Sequence, residues 1–212
     1  KVQRTKKRPI ASNNISVNQS IIYVASLCAL AFLILIQFNT LTIALGLGSM
    51  ILAFSYPFMK RITYWPQLFL GITFNWGILM AWTAMEMRLS LEIFVLYFSA
   101  IFWTLGYDTI YGTQDLSEDE VIGLKSTAIK FKNNIKLFVT ISYLISIAGL
   151  IYLLYNSFKL NLSTLFIFLF FLNLIYQIFK FNRKKADTCL HAFKLNNYSG
   201  LFLFLGICLI KI

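Results

Sequence analysis

The chain has 212 residues, of which 58% are hydrophobic and 13% are charged, and its mean hydropathy is +0.72. A soluble domain carries about 25% charged residues, so this composition excludes a soluble globular domain, a disordered chain and a disulfide-stabilised scaffold. The formal charge of +11 is also compatible with nucleic-acid binding. Most of the basic residues, however, lie in short segments between apolar runs, which favours a membrane protein that binds no nucleic acid.

Seven apolar stretches are predicted to cross a membrane as helices. In chain order they are residues 20–38, 41–58, 66–85, 91–111, 135–156, 161–180 and 197–212. Each is close to the roughly 20 residues that a bilayer requires, whereas a β-barrel would show alternating segments of about ten. The predicted fold class is therefore all-α, a multi-pass transmembrane helix bundle.

Lysine and arginine divide unequally between the two sides of this bundle. Sixteen of the 19 basic residues lie in or beside the polar segments 1–19, 59–65, 112–134 and 181–196. The other side has only Arg88, Lys159 and Lys211. Because cytoplasmic loops are enriched in Lys and Arg, we expect the side with 16 basic residues to be cytoplasmic.

Five of the eight acidic residues lie within 13 positions, at the inner end of the fourth predicted span. On one continuous helix, Asp108, Asp115 and Asp119 would share a stripe about 40° wide, with Tyr111 beside it. Like charges at this spacing repel each other, so a row of them needs a cation. Carboxylate oxygens suit Mg²⁺, which also binds substrate phosphates. The pattern favours a metal–phosphate site over a solvated acidic turn.

Two groups of polar and basic residues could meet this site. Tyr56 and Lys60 are four residues apart at the inner end of the second span, and Arg61 follows them. Arg4 and Arg8 are also four residues apart. Fixed cations beside carboxylate-bound Mg²⁺ would suit a diphosphate leaving group. Topology anchoring and contact with lipid headgroups explain these residues equally well when each is considered alone.

Asn75 is a polar residue in the middle of the third predicted span. Such a residue either bonds to a neighbouring helix or faces a substrate cavity. The hydrogen bond between helices is the favoured interpretation, and the second is left open.

The acidic segment reads Tyr107-Asp-x-x-Tyr-x-x-x-Asp-x-x-x-Asp, followed by Gly-x-Lys-Ser-Thr-Ala. It resembles the second aspartate-rich motif of the UbiA-type intramembrane prenyltransferases. Three further segments carry the resemblance, which extends over essentially the whole chain: Val2-x-Arg-Thr-x-x-Arg-Pro, Tyr56-Pro-Phe-Met-Lys-Arg and Asn196-Asn-Tyr-Ser-Gly. Within that family, the resemblance is strongest to the branch that prenylates 4-hydroxybenzoate in ubiquinone biosynthesis.

The resemblance implies a fold of nine transmembrane helices around a central cavity. On this interpretation, residues 1–212 form one integral-membrane domain that contains seven of the nine helices. The first two helices and the first aspartate-rich motif are expected to precede Lys1. The chain by itself would then hold only half of the family's metal site.

The resemblance also assigns roles to individual residues. It implies Asp115 and Asp119 as the Mg²⁺-binding pair, with Asp108 as the opening aspartate of the motif. The residues expected to contact the diphosphate or the acceptor carboxylate are Tyr56, Lys60, Arg61, Arg4, Tyr111 and Lys125. Lys60 and Arg61 are expected to neutralise the leaving diphosphate, and Asp108 or Asp115 to take the ring proton.

The implied activity is transfer of a polyprenyl group from polyprenyl diphosphate to 4-hydroxybenzoate, with Mg²⁺ as cofactor, in a bacterial or mitochondrial inner membrane. The partners are therefore the two substrates and the lipid bilayer, and the active-site loops are expected on the cytoplasmic side. Two alternatives remain open at this point. One is a family member with a different aromatic or quinone acceptor. The other is a transporter or channel. Transport predicts ionisable residues near the middle of the membrane, and no predicted span carries one near its centre, which argues against this alternative.

Overall fold

The computed structural model describes residues 8–155 and 161–210 of the chain. Within these ranges every regular element is a helix, which confirms the all-α prediction. The α-helices are α1 (Val17–Leu35), α2 (Thr40–Ser55), α3 (Met59–Ile62), α4 (Pro66–Glu86), α5 (Leu91–Gly112), α6 (Leu116–Ile122), α7 (Thr127–Lys130), α8 (Ile135–Leu154), α9 (Leu162–Lys180), α10 (Ala186–Lys194) and α11 (Asn196–Cys208). Two 3₁₀ turns, Tyr56–Phe58 and Thr113–Asp115, join α2 to α3 and α5 to α6.

Six helical segments are long and apolar enough to cross a membrane. They are Val17–Leu35, Thr40–Ile62, Pro66–Glu86, Leu91–Ile122, Ile135–Leu154 and Leu162–Lys180. These segments confirm the first six predicted spans and identify an integral membrane protein. The seventh predicted span, 197–212, overlaps the 13-residue helix α11 and extends past the described residues, so it remains a prediction.

Local sequence signals explain where the spans begin and end. The Ser16 hydroxyl accepts a hydrogen bond from the backbone N–H of Gln19, and the backbone N–H of Ser16 donates to the Gln19 side-chain oxygen, forming a capping box at the start of α1. Asn39 caps α2 in the same position. Pro66 occupies the first turn of α4, where its missing N–H costs nothing, and Met87 ends that helix in the left-handed region at φ 56°.

Helix α5 is the centre of the bundle. It packs most extensively against α8 and α4, and it also contacts α7 and α10. One buried cluster joins α5 to α8, α9 and α10 through side chains such as Ile110, Val139 and Phe170. A second cluster joins α5 to α4 through Leu79 and Ile101. The acidic segment therefore emerges from the most enclosed helix of the molecule.

Asn75 connects the two central helices α4 and α5. Its amide nitrogen donates to the hydroxyl of Thr104 at 2.8 Å and to the carbonyl of Ala100 at 3.3 Å, both on α5. The favoured interpretation of Asn75, a hydrogen bond to a neighbouring helix, is therefore confirmed.

Candidate active site

The aspartates of the acidic segment do not lie on one regular helix. Helix α5 ends at Gly112, and the turn Thr113–Asp115 has 3₁₀ geometry before α6 begins. Asp115 itself has φ −98° and ψ 10°, outside the α-helical values. A 3₁₀ turn advances about 120° per residue instead of 100°. The prediction of a single continuous stripe is therefore wrong, since the turn rotates Asp115 and Asp119 relative to Asp108.

Asp119 is a buried carboxylate paired with a lysine from a distant part of the chain. Its Oδ2 lies 3.3 Å from Nζ of Lys60, and its side chain is 4% exposed whereas that of Lys60 is 39% exposed. A buried carboxylate is costly unless a cation or hydrogen-bond donors compensate it. The pair therefore fixes α3 against α6 and leaves part of the lysine accessible from solvent.

Asp108 belongs to the same electrostatic group. It lies one turn before the end of α5 and is half-buried. Its carboxylate interacts electrostatically with the ammonium of Lys60 and with the phenol of Tyr56. The structure therefore brings together Tyr56, Lys60, Asp108 and Asp119, four of the predicted site residues, from two segments about 50 positions apart in the sequence.

The loop after the acidic segment is pinned by buried hydrogen bonds. The side-chain oxygen of Gln67 accepts from the backbone N–H of Thr127 at 2.9 Å, and the hydroxyls of Thr109 and Thr127 lie 2.7 Å apart. The hydroxyl of Ser126 caps α7 by accepting from the N–H of Ile129. The Lys-Ser-Thr part of the motif therefore attaches the acidic segment to α4 and α5.

Lys125 connects this loop to α3. Its backbone N–H donates to the carbonyl of Lys60 at 2.8 Å, and its ammonium donates to the carbonyl of Ile62 at 3.1 Å. The same ammonium lies 5.6 Å from the centre of the Tyr64 ring. In this structure Lys125 holds the backbone beside Lys60 in place, and its predicted role in binding substrate remains a prediction.

The remaining predicted site residues are Asp115, Tyr111, Arg61 and Arg4. Asp115 and Tyr111 are half-buried, and the Tyr111 ring lies 4.4 Å from the ring of Phe193 on α10. Arg61 is exposed on α3. Arg4 lies outside the described residues.

A cavity of about 290 Å³ opens between α4, α5 and the junction of α10 with α11. Its walls are four aromatic side chains, three amides and one hydroxyl: Phe74, Asn75, Trp103, Thr104, Tyr107, Phe193, Asn196 and Asn197. Tyr107 immediately precedes Asp108, and Thr104 lies one helical turn before it on the same face of α5. The cavity wall therefore continues towards the charged group, and Asn75 both links two helices and faces this space.

A buried hydrogen-bond network supports the wall of this cavity and was not predicted from the sequence. The Gln177 side chain on α9 accepts from the Tyr143 hydroxyl at 2.6 Å and bonds to the amide of Asn196 and the hydroxyl of Ser199. Asn196 in turn accepts from the indole N–H of Trp103 at 2.9 Å. The network joins α5, α8, α9 and α11, and it fixes two of the side chains that line the cavity.

Among the described residues, the carboxylates do not form a complete ligand set for a metal ion. Within residues 8–155 and 161–210, no three His, Cys, Asp or Glu side chains come close enough together to hold one. Mg²⁺, however, is commonly held by one or two carboxylates together with water and substrate phosphates. The hard oxygen donors of Asp115 and Asp119 fit that requirement, and Asp119 would exchange its lysine partner for the metal.

Comparison with known proteins identifies the family to which this membrane-embedded helix bundle belongs. A model of the UbiA prenyltransferase family matches residues 1–204. The chain therefore belongs to the UbiA prenyltransferase family.

Individual relatives carry more specific names. The chain is 41% identical over 211 residues to the mitochondrial 4-hydroxybenzoate polyprenyltransferase of Homo sapiens, covering 99% of this chain and 57% of that protein. It is 37% identical over 207 residues to 4-hydroxybenzoate octaprenyltransferase of Vibrio parahaemolyticus, covering 97% of this chain and 72% of that protein. The chain thus spans little more than half the length of the mitochondrial relative.

A solved structure shows the same fold. The apo structure of a UbiA homolog from Aeropyrum pernix superposes with a TM-score of 0.82 and 24% identity, covering 97% of this chain and 77% of that one. The helix arrangement described above is therefore that of a UbiA homolog.

Proposed function

We propose that the protein transfers a polyprenyl group from polyprenyl diphosphate to the ring of 4-hydroxybenzoate, ortho to the hydroxyl, in ubiquinone biosynthesis. The names of its relatives support the acceptor and the donor. The observation that carries the proposal is the convergence of Lys60, Asp108 and Asp119 near the end of α5, where Asp108 directly follows Tyr107 in the wall of the aromatic cavity. Charged groups for a diphosphate and an apolar space for its prenyl chain are what the two halves of the donor require.

The charged group is suited to the diphosphate end of the donor. The partly exposed ammonium of Lys60 can bind a phosphate oxygen, and Arg61 on the same short helix can supply a second positive charge. We propose that Asp115 and Asp119, with Asp108 nearby, hold Mg²⁺ in the full protein. When bound, Mg²⁺ would neutralise charge on the leaving diphosphate.

The reaction breaks the bond between C1 of the prenyl group and the diphosphate oxygen, and the electron pair leaves with the diphosphate. The resulting allylic cation is shielded from water within the cavity. The ring carbon ortho to the phenol forms the new carbon–carbon bond, and its proton passes to a carboxylate. Asp108 is favoured over Asp115 for this step because it follows the cavity-lining Tyr107.

Aromatic side chains suit the apolar and cationic parts of the reaction. Phe74, Trp103 and Phe193 can contact the prenyl chain, and the faces of Trp103 and Tyr107 can stabilise an adjacent cation. We place the site at the cytoplasmic or matrix face of an inner membrane, because the neighbouring loops contain most of the Lys and Arg residues.

The acceptor is tested with membranes containing the full-length protein, supplied with a polyprenyl diphosphate and a panel of aromatic acids and quinone precursors. We expect 3-polyprenyl-4-hydroxybenzoate as the dominant product by mass spectrometry. A prenylated product from another acceptor, together with none from 4-hydroxybenzoate, would contradict the assignment while leaving family membership intact.

Metal dependence is tested in the same membranes by chelation. We expect EDTA to abolish product formation and added Mg²⁺ to restore it, because the diphosphate needs charge neutralisation as it leaves. Undiminished turnover after complete removal of divalent cations would rule out the proposed metal.

A further inference from the structure

A second cavity lies where α8 begins and α9 ends. It has a volume of about 460 Å³ and opens between the α7–α8 loop and the α9–α10 loop. Its polar lining consists of Lys132, Asn133, Asn134, Lys136, Asn182 and Arg183. None of these residues lines the aromatic cavity or belongs to the charged group around Asp119. This space, which we call the basic cavity, therefore has no role in the transfer reaction described above.

The basic cavity has an excess of positive charge. The two segments that form it, residues 130–136 and 180–185, contain Lys and Arg at seven positions and no acidic residue. Lys132 is neutralised by Glu120 at 2.8 Å. Lys136 and Arg183 have no carboxylate partner in the described part of the chain. Two positive charges at the cavity are therefore available for an anion.

These cations are held in position by their surroundings. The guanidinium of Arg183 donates to the backbone carbonyl of Lys132, which joins the two loops across the cavity. The ammonium of Lys136 lies 5.5 Å from the centre of the buried Phe181 ring. The basic cavity is therefore more ordered than a row of solvated lysines on a loop.

The start of α8 adds backbone donors to the same space. This helix has 20 residues, and Asn134 at its N-cap makes no side-chain cap. Its first three residues, Ile135, Lys136 and Leu137, line the basic cavity. Their N–H groups have no partner within the helix, and the helix dipole favours an anion at this end.

Apolar surface lies beside the basic cavity. Leu137, which lines the cavity at the start of the membrane-spanning helix α8, is 59% exposed. Acyl chains can cover such surface, whereas a free inorganic anion cannot. Basic pockets between the ends of transmembrane helices are suited to lipid headgroups. We propose that the basic cavity binds the phosphodiester headgroup of an anionic phospholipid through Lys136 and Arg183.

The test uses the full-length protein in an uncharged detergent, titrated with phosphatidylglycerol or with phosphatidylcholine, with bound lipid counted by native mass spectrometry. We expect the unmodified protein to prefer phosphatidylglycerol. The double variant K136Q/R183Q should reduce affinity for that lipid on the order of tenfold. The matched control is K184Q/K185Q, which removes the same charge from the α9–α10 loop without touching the cavity lining and should change affinity less than about twofold.

Each other outcome counts against the proposal. Equal loss in both double variants would show that only the general charge of the loops matters. No preference of the unmodified protein for phosphatidylglycerol would exclude a headgroup site. Displacement of the lipid by millimolar inorganic phosphate or diphosphate would assign the basic cavity to a free anion instead. Thermal unfolding of both variants without added lipid verifies that each is folded.

Discussion

Helices α5 and α1 are both apolar spans, yet their surroundings differ completely. In Leu91–Ile122, the segment that contains α5, half of the most apolar 18 residues are buried inside the bundle. None of the corresponding residues of α1 is buried. Mean hydropathy is actually higher for α1, at 1.9 against 1.4 for α5. The aspartates, the aromatic cavity wall and the pinned loop all adjoin α5.

The difference shows that hydropathy locates a span but does not say what covers it. Lipid and protein are equally apolar surroundings, so a helix suited to one is suited to the other. What separates the two helices is close packing and polar residues with partners. Three pairs of substitutions sharpen this contrast, each measured as the free energy of unfolding in mixed detergent micelles.

The largest effect is expected from truncating the core of α5. Leu105 is 1% exposed, so Leu105→Ala leaves a cavity and should lower the free energy of unfolding by about 2–5 kcal/mol. Ile22 on α1 is 66% exposed, and Ile22→Ala should cost less than about 0.5 kcal/mol. Equal costs would mean that another part of the protein covers α1.

A smaller loss is expected where α5 and α8 approach most closely. A Cβ added at Gly106 would overlap the ring of the buried Tyr143, so Gly106→Ala should cost about 1–3 kcal/mol. A Cβ at Gly77 on α4 would meet nothing within 4 Å, so Gly77→Ala should be neutral or slightly stabilising. A neutral Gly106→Ala would show that the two helices are less tightly packed than described.

The smallest of the three effects is expected in the buried network. Gln177→Leu removes a partner from Tyr143 and Asn196 and should cost about 1 kcal/mol, since hydrogen bonds between membrane helices are individually weak. Gln37→Leu beyond the end of α1 changes an exposed residue and should cost less than about 0.5 kcal/mol. Equal free energies of unfolding for the two variants would show that the network does not stabilise the fold.

Much of this architecture could be predicted from the sequence. Six spans follow from apolar length, and the position of Asp108 near the end of α5 follows from where the apolar stretch ends. The sequence predicted that the group Tyr56, Lys60 and Arg61 could approach the acidic segment. It did not predict that Lys60 pairs with Asp119, because spacing along a chain does not determine which side chains come into contact.

Other features depend on tertiary contacts that the sequence does not encode locally. The 3₁₀ turn at Asp115 interrupts the helix. A prediction that assumes a rotation of 100° per residue throughout cannot reveal this break. The backbone carbonyls that accept hydrogen bonds from Lys125 come within reach only after α3 folds against the loop. Asn173 and Gln177 lie four residues apart within an apolar span, and this spacing was the one available signal for the buried network.

We infer that the buried pair of Asp119 with Lys60 belongs to the active site. The most direct measurement compares turnover of polyprenyl diphosphate and 4-hydroxybenzoate by Asp119→Asn and Glu118→Gln in the full-length protein. Both remove one negative charge from α6, but Glu118 is exposed. We expect Asp119→Asn to lose at least about 100-fold in kcat and Glu118→Gln to retain nearly full activity. Equal activity of the two variants, at equal amounts of folded protein, would contradict the account.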